Sequence, residues 1–71
     1  MSPITALRKL KPYSRIETQV LESNENNETT VIVSIDNEIF TATSKNKCQS
    51  KLKAFKKAVK HFDKDGIIIF F

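Results

Sequence analysis

Seventy-one residues suffice for one domain, near the lower limit at which a single core holds a fold without disulfides or metal. With 39% hydrophobic residues the chain is neither disordered nor membranous: its longest apolar run, Ile67 to Phe71, is too short to span a bilayer, and Ser2 to Pro12 is too polar and basic for a signal peptide. One cysteine excludes a disulfide framework and points to a reducing, intracellular setting.

Ser2-Pro3 reads as a helix cap followed by proline at the first helical position, and Ile4, Leu7 and Leu10 repeat at a helical interval until Lys11-Pro12. Arg15 to Glu22 alternates, with Ile16, Thr18 and Val20 on one side, which predicts a strand. Glu22 to Glu28 has no apolar residue and is expected to be a loop. Thr29 to Ile35 is β-branched, with Val31, Val33 and Ile35 on one face. Asp36-Asn37 separates it from a third strand, Glu38 to Thr43, and both turn residues tolerate the positive φ of a two-residue hairpin. Ser44 to Asn46 is a connection, Asn46 can cap a second helix with Gln49 at capping-box spacing, and Asp65-Gly66 supplies its stop. The expected fold is therefore α+β, ordered α-β-β-β-α, with two helices on one face of a three-stranded antiparallel sheet. It forms a single domain over residues 1–71, with a core from 3 to 64 and an apolar tail from 67 to 71.

The net charge of +4 is unevenly placed. From Ile16 to Ser44 there are six acids and no lysine or arginine, whereas Lys45 to Lys64 holds eight lysines and one acid, Asp63. A cationic helix beside an acidic remainder suggests a polyanion met by one surface. At about 100° per residue, Ala54, Ala58, Phe62, Phe55, Cys48, Val59 and Leu52 sweep one apolar arc of the second helix. Lys53, Lys56, Lys57, Lys60 and Lys64 lie opposite, as a solvated face. Lys47 and Lys51 project from within the arc itself, which is tolerable only if the first turn overhangs the core and meets solvent or an anion. With Lys45 just before them, three ammonium groups and free backbone N–H groups would converge at the positive end of a helix dipole.

Catalysis is not expected. A nucleophile with its base and orienting acid, or a metal cluster, needs several convergent histidines, cysteines or carboxylates, and this chain has one His and one Cys. His61 suits the negative end of the second helix. Cys48 between two lysines reads either as a small half-buried residue or as a thiol of lowered pKa. No glycine-rich phosphate loop can form around the single glycine, Gly66. Neither cofactor nor metal is implied.

The order α-β-β-β-α, together with Lys47, Ser50-Lys51, Ala54-Phe55 and Ala58-Val59, resembles the double-stranded RNA-binding domain, whose second helix reads Lys-Lys-x-Ala-Lys-x-x-Ala-Ala-x-x-Ala-Leu. The resemblance runs from about Pro3 to Phe62. It is nearest to the domains of adenosine deaminases acting on RNA: Leu10-Lys11-Pro12 is similar to their Leu-Arg-Pro, and Ile35 to Phe40 aligns without gaps on Val-Asn-Gly-Gln-Val-Phe. The resemblance implies contacts of helix 1 and the first hairpin loop with two minor grooves, and of the second helix's lysines with the intervening phosphates. Carried over, these are Lys45, Lys47 and Lys51 on phosphates, Thr5, Arg8 and Lys9 in one minor groove, and Asn26 in the loop. Cys48 replaces the middle lysine, Lys9 replaces a glutamate that bonds 2′-hydroxyls, Ser23 to Asn26 replaces a Gly-Pro-x-His loop, and Ala42 and Ser44 replace glycines.

Two functions are expected on this basis. The first is a non-catalytic module for double-stranded RNA with low sequence preference, inside the cell, the nucleus ahead of the cytoplasm. The second is a degenerate domain serving protein interaction or homodimerisation, for which Ile67 to Phe71 would pair on a sheet edge or cover a partner. Equally, that tail folds back on its own core or marks where the chain was cut.

Overall fold

A computed structural model describes residues 2–23, 25–63 and 66. The element order is α1 (Pro3–Leu10), β1 (Glu17–Ser23), β2 (Glu28–Ile35), β3 (Glu38–Ser44) and α2 (Lys47–Phe62). The three strands form one antiparallel sheet in the order β1-β2-β3, so the expected α-β-β-β-α architecture is present. The terminal stretch 67–71, Lys64 and Asp65 lie outside the described residues.

The inward face of β2 supplies Val31, Val33 and Ile35. These join Ala6 and Leu7 of α1, Ala42 of β3, and Ala54, Phe55, Ala58 and Val59 of α2 in one buried cluster. The period-2 pattern of β2 and the helical period of α2 are thus the two halves of the same core. Ile4, Leu10, Ile16, Val20, Phe40 and Phe62 pack around it, half-buried. The other face of the sheet presents Leu21, Ile32 and Ile39 among Gln19, Thr30, Ser34, Thr41 and Thr43. There Thr30 and Thr43, opposite each other in the β2–β3 register, join hydroxyls at 2.7 Å.

Local signals account for most boundaries. Ser2 Oγ accepts from the Thr5 N–H at 3.2 Å, and Pro3 follows at the first helical position, as a helix start requires. Asp36 and Asn37 adopt φ of 50° and 66°, the positive values of a two-residue hairpin. Other boundaries differ from the sequence reading. β1 continues through Glu22 to Ser23 and β2 begins at Glu28, because Ser23 and Glu28 face each other at the last rung of the ladder; of the described residues only 25–27 remain in the loop. α2 ends at Phe62 with Asp63 as its cap, whose N–H donates to the Val59 carbonyl, so the stop comes before Asp65-Gly66. Gly66 has φ 66°, and its N–H donates to the Asp63 carbonyl at 3.2 Å.

Both helices finish at the hairpin-turn end of the sheet. Lys11, just beyond α1, pairs with Asp36 of the turn and lies 4.6 Å over the Phe62 ring. Phe62 meets the rings of Phe40 and His61 edge to face, and Phe40 and His61 are tilted at 57°, the three centroids 4.9 to 5.9 Å apart. These contacts, with its place in the last turn of α2, give His61 a structural setting. α2 therefore starts at the opposite end, where β3 leaves the sheet and the loop joins β1 to β2.

Candidate nucleic-acid interface

The start of α2 is built from one asparagine and two serines. Asn46 has extended backbone angles, and its Oδ1 accepts from the Cys48 N–H at 2.8 Å and the Gln49 N–H at 3.4 Å. Its carbonyl accepts the Ser50 N–H at 3.0 Å. The amides expected to be free for an anion at Cys48, Gln49 and Ser50 are consequently already taken. Attraction for an anion at this end rests on side-chain charge and the helix dipole. The cap on Asn46's own N–H comes from Ser44 Oγ at 3.2 Å in place of Gln49, because Ser44 lies two residues back at the end of β3.

Burial along α2 corrects the apolar arc at its first turns. Cys48 and Leu52 are exposed, and Ser50 is fully buried. The buried arc runs from Ser50 through Ala54 and Ala58 to Phe55 and Val59, with Lys47 and Lys51 at its angular centre. Lys47 is nevertheless exposed and Lys51 half-buried. The first turn thus overhangs the core, as the charges demanded, and the two ammonium stems leave from the side of the helix that elsewhere meets the sheet. Lys45, in the connection, is exposed beside them.

The helix-1 residues share a second surface. Thr5, Arg8 and Lys9 lie at i, i+3 and i+4 and are all exposed, opposite buried Pro3, Ala6 and Leu7. Thr5 Oγ1 accepts from Ser2 Oγ at 3.0 Å, leaving its own proton to be donated outward. Asn26 is exposed in the loop, between Glu25 and Asn27, whose φ is 52°. That loop opens from the end of the sheet where α2 begins, so Glu25 and Glu28 place negative charge at the lysine end.

Lys53, Lys56, Lys57 and Lys60 are all exposed, as expected, but they also meet the edge of the sheet. Lys57 Nζ donates to the Thr41 carbonyl of edge strand β3 at 2.6 Å. Lys53, Lys56, Lys57 and Lys60 flank a shallow groove floored by Ala42 and Thr43. A helical wheel cannot place these groups against a strand edge, since it contains no strand.

What the sequence reading missed is Ser50. Its hydroxyl lies 2.6 Å from the Thr29 carbonyl, 2.8 Å from Ser44 Oγ and 3.1 Å from the Asn46 carbonyl. The available signal was its spacing: Ser50 stands four residues before Ala54 and eight before Ala58, in the small-residue line of the buried arc.

No protein-family model matches the chain, and no curated protein is significantly similar to it in sequence. Among the described residues no helix is long and apolar enough to cross a membrane.

Proposed function

We propose that this domain is a non-catalytic module that binds double-stranded RNA, with Lys45, Lys47 and Lys51 on the phosphates and Thr5, Arg8 and Lys9 at a neighbouring minor groove. The observation that carries the reading is the overhang of α2: two lysines one turn apart leave the helix from its buried side, at its positive end, exposed and half-buried respectively. The α-β-β-β-α order and the spacing of Lys47, Lys51, Ala54 and Ala58 support the same reading through their resemblance to double-stranded RNA-binding domains. Phosphate and 2′-hydroxyl contacts carry little base information, so sequence preference is low. Three phosphate contacts imply a salt slope of about 2 to 3, and the acidic loop weakens attraction further. Titration of the full chain with double-stranded RNA, double-stranded DNA and single strands at low salt tests this. Shifts of the Lys47 and Lys51 resonances with the A-form duplex, and weaker ones with the others, are expected; no shift with duplex RNA rejects it.

A second reading, self-association, is favoured by the outward sheet face, where Ile39 is 67% and Leu21 49% exposed. Sedimentation of the full chain and of a chain ending at Asp65 decides both this and a role for the tail. Monomers in both cases remove the reading.

A further inference from the structure

We propose that Ser50, acting with Ser44, is the positioning residue for the lysine pair: a cluster of hydroxyl hydrogen bonds clamps the overhanging first turn of α2 to the end of the β2–β3 ladder. This rests on the RNA-binding reading for its consequence, though not for its structural content. Each serine has one proton to give and more than one acceptor within reach. The Asn46 N–H donates to Ser44 Oγ at 3.2 Å; Ser44 Oγ lies 2.7 Å from the Asn46 carbonyl and 2.8 Å from Ser50 Oγ, and Ser50 Oγ lies 2.6 Å from the Thr29 carbonyl, its shortest contact. Thr29 and Ser44 are cross-strand partners at the terminal rung of that ladder. The cluster therefore ties the helix cap to the end of β3 and to β2.

The first turn of α2 places no apolar side chain in the core cluster, so the direction of Lys47 and Lys51 is set there by the polar bonds of Ser50. Ser50 is fully exposed to the cost of burial, at 0% accessibility, and an unpaired hydroxyl there would be strongly unfavourable. The pattern this chain resembles has alanine at the Ser50 position in the second helix and glycine at the Ser44 position at the end of the third strand. Here both are serine, their hydroxyls 2.8 Å apart, so the two departures are expected to be coupled.

The experiment compares the full chain with Ser50→Ala, Ser44→Gly and the double variant, by amide hydrogen exchange without RNA and by duplex-RNA affinity across salt, at temperatures where all are folded. Ser50→Ala is expected to speed exchange at Cys48, Gln49 and Ser50 about tenfold while Val31 and Val33 stay protected, to weaken duplex binding about threefold, and to lower the salt slope by about one contact. The double variant is expected to cost less than the two single effects combined. Unchanged exchange at these three amides, a rise shared equally by Val31 and Val33, or additive effects in the double variant would overturn the proposal. If the parent chain binds no duplex at all, the function proposed above is rejected, while the exchange cycle still decides the clamp.

Discussion

Lys11 Nζ lies 3.2 Å from Asp36 Oδ2, a contact that joins the residue after α1 to the turn between β2 and β3. Ser14 Oγ donates to the same oxygen at 3.1 Å. The hydrogen bond from Ser14, then that from Lys11, holds the Asp36 carboxyl below its ordinary value of 3.8. A depressed carboxylate pKa contributes stability that is complete above the unfolded value and is lost as pH falls through the folded one. Asp36→Asn keeps the turn's positive φ but removes the charge. Thermal unfolding from pH 6 down to pH 2 is therefore expected to show a small acid-dependent loss below about pH 4 in the parent that the variant lacks; the effect is small because the pair is solvent-accessible.

Replacing Lys47 and Lys51 together by glutamine is expected to abolish duplex binding while leaving the circular dichroism spectrum and Tm unchanged. Replacing Lys53 and Lys60 is expected to reduce affinity only through long-range attraction, which disappears at high salt. Equal losses from both pairs, measured by fluorescence anisotropy at two ionic strengths, would show diffuse electrostatics instead.

Lys57 tests the strand edge rather than the ligand. Its bond to the Thr41 carbonyl covers part of an edge that would otherwise offer an unpaired acceptor to another chain. Lys57→Met keeps most of the stem and removes the donor. The expected cost is about 0.5 to 1.5 kcal/mol in urea unfolding, with increased self-association by light scattering.

Leu7 is fully buried in the core cluster that α1, α2 and the sheet share. Leu7→Ala is expected to cost about 2 to 5 kcal/mol, a large share of the stability of so small a domain. Chemical denaturation followed by far-UV circular dichroism should show this as a lower midpoint.

Asn37, at φ 66°, is a sharper test of the hairpin. Asn37→Gly is expected to be neutral or stabilising and Asn37→Val to cost about 1 to 2 kcal/mol, since a β-branched residue is strained in the left-handed region. Thermal melts of the two variants measure the difference.

The order of elements, the inward face Val31, Val33 and Ile35, the turn at Asp36-Asn37 and the cap at Ser2 were legible because each depends on residues within a few positions of one another. The overhang of Lys47 was legible too, since a charge within an apolar arc admits few solutions. The hidden parts all join distant segments. Ser50 finds Thr29 across 21 positions, Lys57 finds Thr41 across 16, and Ser14 finds Asp36 across 22. Cys48 and Leu52 lie within the wheel's apolar arc yet are exposed, because α2's first turns extend past the surface that would have covered them. Periodicity and turn chemistry along the chain thus determined which elements exist and which way each faces. Where a strand ends beneath a helix, and so which polar group is buried and which lysine stands free of the core, was decided only by packing the elements together, because burial and long-range hydrogen bonding belong to the assembled layers and not to any one of them.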